Sequence, residues 1–79
     1  MDRKDLFTKL EQVFMDVFDL DHVALTEDTS AEEIEEWDSL SHIQLIVAVE
    51  KEFGIKFTSR EIMKWDNVGE MVDSITTKL

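Results

Sequence analysis

The sequence predicts an all-α fold: a small four-helix bundle, three main helices plus a short third one, with a long loop between the first and second. Three observations predict it. Apolar residues recur at spacings of three and four in three separate stretches, which is the helical period. No stretch alternates apolar and polar residues over the length of a strand, and the chain contains no proline. Cap residues stand ahead of helical patterns (Asp38, Thr58, Asn67), and a glycine, Gly54, follows one. With 79 residues, a single domain spanning 1–79 is expected. Such a domain buries only about 60% of the surface its unfolded chain exposes. That core leaves no room for a substrate pocket with a separate catalytic apparatus, which favours a binding or carrier module over an independent enzyme.

The first helix is expected from Asp2 to Phe18. Leu6, Phe7, Leu10, Val13, Phe14, Val17 and Phe18 form one apolar stripe, most simply a core face. Asp19-Leu20-Asp21-His22 breaks the pattern and opens a connection through residue 38, which Val23, Leu25 and Ile34 can pin to the core. From Glu27 to Asp38 this loop holds seven acids and no base. The spacing of a calcium loop with its central glycine is absent, so a solvated loop is the better reading. A loop this long in so small a domain is uncommon and often functional. The second helix runs from Ser39 to Phe53 with Asp38 as its N-cap. Leu45, Ile46, Val49 and Phe53 face inward. Leu40, Gln44, Val47 and Lys51 share another face, which leaves Leu40 and Val47 as apolar residues on the outside. Gly54 ends this helix, and Ile55 supplies the apolar contact that accompanies a glycine C-cap. After an extended link at Lys56-Phe57, Thr58 and Glu61 form a capping box that opens a short third helix to Lys64, with Ile62 or Met63 inward. Asn67 and Glu70 repeat the spacing and open the fourth helix, with Val68, Met71, Val72, Ile75 and Leu79 on one stripe. Trp65 is expected between the third and fourth helices.

Composition narrows the function. Nineteen acids against eight bases give a net charge of −11, which repels nucleic acid and anionic membrane surfaces and draws in basic partners. Apolar residues make up 43%, too many for a disordered acidic chain. There is no cysteine, hence no disulfide and no thiolate metal site, which suits a cytoplasmic location. No signal peptide is visible, and the longest apolar run, Leu45 to Val49, is far too short to span a bilayer. No stable membrane insertion is expected.

The most informative stretch is Trp37-Asp38-Ser39-Leu40-Ser41-His42-Ile43, where the acidic run ends and the second helix begins. A helix N-terminus stabilises negative charge, so a serine there can carry a phosphate-linked group. Serine is also common at helix starts, and on these residues alone the ordinary first-turn role is favoured. Ser39 and His42 lie one turn apart, yet nothing marks a third group to orient the histidine, or an oxyanion site, so no catalytic residue is assigned. His22 and His42 lack further partners for a marked metal site, and none is assigned. Two readings then stand side by side: a bundle with a prosthetic arm on Ser39, and an unmodified acidic helical interaction module.

The stretch from Trp37 to Ile46, followed by Glu50-Lys51-Glu52-Phe53-Gly54-Ile55 and later by Val68-Gly69-Glu70-Met71-Val72, resembles the acyl carrier protein family over nearly the whole chain. Asp-Ser-Leu alone is a weak motif. Set before an amphipathic helix that ends in Glu-x-Glu-Phe-Gly-Ile, it is specific. The resemblance implies that Ser39 receives 4′-phosphopantetheine from coenzyme A through a phosphopantetheinyl transferase, and that the arm's thiol carries acyl groups as thioesters. A chain without cysteine then obtains its reactive thiol from the cofactor. The resemblance further implies that Asp38 and Leu40 help the transferase recognise Ser39. It implies that Val47 and Glu50 dock acyl-loading, acyl-transfer or synthase enzymes with basic surfaces. It places Phe57 and Ile62 near the arm or acyl chain, with a groove between the second and third helices. A monomeric carrier that performs no catalysis itself is expected.

The chain departs from the fatty-acid-synthesis pattern at Ser41, Gln44 and Lys51, where those carriers usually have acids. This points to a dedicated lipid, polyketide or related acyl-transfer pathway, with a peptidyl or D-alanyl carrier as the alternative within the same chemistry. A chain of 79 residues opening on Met1 points to a freestanding carrier.

Overall fold

A computed structural model describes residues 2–79. Met1, on which the expectation of a freestanding chain rests, lies outside the described residues. Four α-helices follow in the predicted order: α1 (Arg3–Phe18), α2 (Ser39–Phe53), α3 (Ser59–Lys64) and α4 (Val68–Lys78). Among the described residues there is no strand.

Each helix starts and stops for a local reason. α1 ends where Asp19 adopts a left-handed conformation (φ 54°), so that its N–H and that of Leu20 both return to the Met15 carbonyl. α2 ends at Gly54 (φ 66°), with the Gly54 and Ile55 N–H groups on the Glu50 carbonyl. α3 opens on the expected capping box: Thr58 Oγ1 accepts from the Glu61 N–H at 3.2 Å, and Glu61 Oε1 accepts from the Thr58 N–H at 2.9 Å. α4 opens with Asn67 Oδ1 accepting from the Glu70 N–H at 2.9 Å.

The stripes meet in one core. Leu6, Leu10 and Phe14 of α1, Leu45 and Val49 of α2, and Val68, Val72 and Ile75 of α4 are fully buried there. The amphipathic faces thus remove their apolar surface from water together, which is what holds so short a chain folded. α3 has no fully buried residue. Ile62 turns partly inward, whereas Met63 is 84% exposed. Trp65 joins α3 to α4, with its Nε1–H on Ser74 Oγ at 2.9 Å and its ring edge-on to Phe57.

The α1–α2 connection is tied down rather than loose. Leu25 and Ile34 are buried and Val23 packs against the core. The Leu25 N–H donates to Glu11 Oε2 at 2.9 Å. The backbone of Glu27 and Thr29 accepts from the first N–H groups of α4: Gly69 to Glu27 O at 3.0 Å and Val68 to Thr29 O at 2.7 Å. Arg3 bridges the same region, paired with Glu27 on the loop and Asp73 on α4. A single 3₁₀ turn, Ala31–Glu33, also lies inside the connection and is closed by its own Ser30–Glu33 capping box. The apolar period of three residues is too short to have marked it in the sequence.

Candidate functional site

Ser39 is the first residue of α2, and the residues on either side fix it in place. Asp38 caps the helix: its Oδ1 accepts from the Leu40 N–H at 3.1 Å and the Ser41 N–H at 2.9 Å. Those N–H bonds hold the Asp38 carboxyl below its ordinary pKa, the bond from Ser41 contributing most. Ser41 returns the contact, its Oγ accepting from the Asp38 N–H at 2.8 Å, and it also donates to the Glu36 carbonyl at 2.8 Å. Ser41 therefore completes a capping box in the position where glutamate is common. The sequence alone marks this position only by its lack of an acid.

Just upstream, Trp37 is buried. Its ring sits edge-on to Phe14 at 5.1 Å between centroids and tilted on Phe18 at 6.3 Å. Its Nε1–H donates to His42 Nδ1 at 2.9 Å, and the two rings lie nearly parallel. A tryptophan in an acidic loop shows no period, so its role as an anchor was not visible in the sequence. The result is a rigid frame around an exposed serine. Ser39 Oγ makes no hydrogen bond among the described residues, and none joins it to His42.

Ser39 opens onto a cleft of about 630 Å³. The 3₁₀ turn contributes Ala31 and Glu32, the start of α2 contributes Asp38 and His42, and the α3–α4 joint contributes Trp65 and Asp66. Trp37, Asn67 and Met71 complete the walls. The lining holds three carboxylates and no lysine or arginine. Burial pushes the His42 pKa down, so the ring is neutral near pH 7. With Nδ1 accepting from Trp37, the ring proton resides on Nε2.

The other expected site residues are distributed along α2 and beyond it. Leu40 is 78% exposed and Val47 48% exposed; Ile43, which sequence reasoning did not single out, is 64% exposed and lies between them on the helix surface. Glu50 is half-buried, and its Oε2 accepts from the Phe57 N–H at 2.8 Å, tying α2 to the link before α3. It also lines a shallow second cleft with Val47, Lys51 and Lys56. Phe57 packs on Trp65, and neither Phe57 nor Ile62 lines the cleft beside Ser39. The cleft beside Ser39 lies toward the 3₁₀ turn and the α3–α4 joint. Trp65 and Met71 also line it, and only the tertiary fold brings them near Ser39.

The site suits a covalently attached, phosphate-linked group. An exposed hydroxyl without a partner lines a cleft of about 630 Å³, on the first turn of a helix whose positive end favours an anion. Among the described residues no three His, Asp or Glu side chains converge where a metal ion can sit, and no helix is long and apolar enough to cross a membrane.

Comparison with known proteins gives the same direction. The model of the family described as "Phosphopantetheine attachment site" matches residues 8–75. An acyl carrier protein of Rubrobacter xylanophilus is 32% identical over 75 residues, covering 95% of this chain and 93% of that protein. The polyketide-8 synthase acyl carrier protein 2 of Streptomyces avermitilis is 30% identical over 71 residues, covering 90% and 82%. The solution structure of a holo acyl carrier protein from Geobacter metallireducens superposes with a TM-score of 0.86 at 44% identity, covering 91% of this chain and 83% of that one. On fold, sequence and matched region alike, the chain belongs to the acyl carrier protein family.

Proposed function

We propose that Ser39 is the attachment residue of the 4′-phosphopantetheine arm and that residues 1–79 act as one carrier domain for acyl groups. The observation that carries the assignment is the unpartnered Ser39 hydroxyl, exposed at the first position of α2 beside the cleft. The other serine of this turn is unsuited: Ser41 Oγ is engaged with the Asp38 N–H and the Glu36 carbonyl. When bound, the arm supplies a terminal thiol that holds the acyl group as a thioester.

The chain's own residues present the arm. Asp38 fixes the start of α2, Trp37 anchors the loop to the core, and the cleft lies open beside Ser39. No residue of the chain performs catalysis in this reading, and the absence of a Ser39–His42 hydrogen bond supports it.

Partners include a phosphopantetheinyl transferase and acyl-loading or acyl-transfer enzymes. Leu40, Ile43 and Val47 offer them an apolar strip on α2, and the exposed acids Glu35, Glu36 and Asp38 beside it suit basic surfaces. Neutral Ser41 and Gln44 and basic Lys51 on this helix support enzymes dedicated to one pathway. The cytoplasm is the compartment proposed.

The test is the intact mass after incubation with coenzyme A, magnesium and a broad-specificity phosphopantetheinyl transferase. One phosphopantetheine is expected on the wild type and none on Ser39→Ala. Addition to both proteins, or to neither while a known carrier is modified in parallel, overturns the assignment.

A further inference from the structure

Among the described residues, the first turn of α2 leaves one backbone donor free for an anion, the Ser39 N–H. The N–H groups of Leu40 and Ser41 are taken by Asp38 Oδ1, and that of His42 by the Asp38 carbonyl. No lysine or arginine lines the adjoining cleft, and Glu32, Asp38 and Asp66 make it acidic. The indole N–H groups are also engaged, Trp37 on His42 and Trp65 on Ser74. Among the described residues, the side-chain N–H groups of the lining that have no partner are the amide of Asn67 and Nε2 of His42. Only His42 lies one helical turn from Ser39, where side-chain origins are about 5–6 Å apart.

Resting on the assignment of Ser39 as attachment residue, we propose that His42 binds the phosphodiester of the prosthetic arm, with its Nε2–H donating to a phosphate oxygen. The Trp37 indole is the positioning group: by occupying Nδ1 it fixes both the orientation of the imidazole and the site of its proton. The anchor that holds the loop in the core thereby sets the donor for the cofactor. The charged groups on the elements packed around His42 are Glu32 from the 3₁₀ turn, Asp38 from its own helix and Asp66 from the α3–α4 joint. All three are acids, and the His42 Nε2–H adds a donor that offsets their repulsion of an anionic phosphodiester.

The phosphodiester has no ionisation of its own near neutrality, so its ³¹P resonance reports its neighbours. The experiment uses the full chain carrying the arm, with attachment verified by intact mass, and follows ³¹P and the His42 ring protons together from about pH 5 to pH 8, the range in which histidine titrates. The ³¹P resonance is expected to move with the His42 midpoint, and that midpoint is expected to lie higher than in the unmodified protein, because the attached anion favours imidazolium. In His42→Gln, which keeps an amide N–H and loses the titration, the ³¹P resonance is expected to be flat over this range. A wild-type ³¹P resonance that ignores the His42 midpoint, or one that titrates unchanged in His42→Gln, overturns the proposal and leaves the carrier assignment standing. Failure of the mass to increase removes both.

Discussion

Replacing Gly69 by alanine sets the sequence and the structure against each other. Gly69 is buried at the second position of α4, and its N–H donates to the Glu27 carbonyl at 3.0 Å. Helix propensity alone favours alanine there, by at most about 1 kcal/mol. A Cβ on this glycine, however, meets Glu27 O at 2.7 Å, Glu27 Cβ at 3.0 Å and Glu27 Cα at 3.2 Å. Two of these atoms are backbone, so the loop itself must shift. Losing the Gly69–Glu27 hydrogen bond costs about 0.5–1.5 kcal/mol, and overpacking a close contact costs about 1–3 kcal/mol. The net destabilisation is then about 0.5–4.5 kcal/mol. For a chain of this length each kcal/mol lowers Tm by about 4–8 °C. Urea and thermal unfolding followed by far-UV circular dichroism measure it. Gly54→Ala supplies the contrast, since its cost comes from the left-handed backbone (φ 66°) in open space, with nothing within 4 Å of a Cβ. A neutral or stabilising Gly69→Ala would refute the claim that the loop is locked onto α4.

The remaining predictions concern the face of α2 and the Trp37–His42 pair. Val47→Glu should change stability by no more than about 0.5 kcal/mol, as surface substitutions do, while lowering turnover by the enzyme that loads or unloads the carrier. Unchanged turnover would remove Val47 from the docking face. The folded-state pKa of His42 is lowered by burial, so the unfolded chain binds the extra proton first. Stability from this group is therefore present above the unfolded value, near 6.5, and is lost as pH falls through the lower folded value. Protonation at Nδ1 also ends its acceptance from the Trp37 indole. Urea midpoints measured across this window should fall more steeply with acid in the wild type than in His42→Gln; parallel slopes would contradict the pairing.

Much of the architecture was legible because strong local signals agreed with the global fold. The Leu6–Phe18 stripe, the Asp38 and Asn67 caps, the Thr58–Glu61 box and the Gly54–Ile55 stop all mark elements within one or two residues of where the structure places them. What stayed hidden depends on contacts between distant residues or on patterns too short to repeat. The burial of Trp37 requires Phe14 and Phe18 from α1, about twenty residues earlier. Gly69 reads as a weak helix residue until Glu27 is seen against it. Met63 and Leu79 fit apolar patterns, yet Met63 is exposed on a short helix with no layer outside it and Leu79 lies just beyond α4. At the candidate site, the place of Ser39 at the start of α2 could be read from the Asp38 cap, whereas the cleft could not. Its walls come from the 3₁₀ turn, the start of α2 and the α3–α4 joint, which are separate in the chain.

The central claim is that one particular serine carries the arm. The chain has other serines at positions 30, 41, 59 and 74, and Ser41 is only two residues away. The most direct measurement is to modify the protein with coenzyme A and a phosphopantetheinyl transferase, cleave it after glutamate, and locate the phosphopantetheine by fragmentation of the Trp37–Glu50 peptide. The modification is expected on Ser39 alone. Its appearance on Ser41, or on any other serine while Ser39 stays unmodified, would show that Ser39 is not the attachment residue.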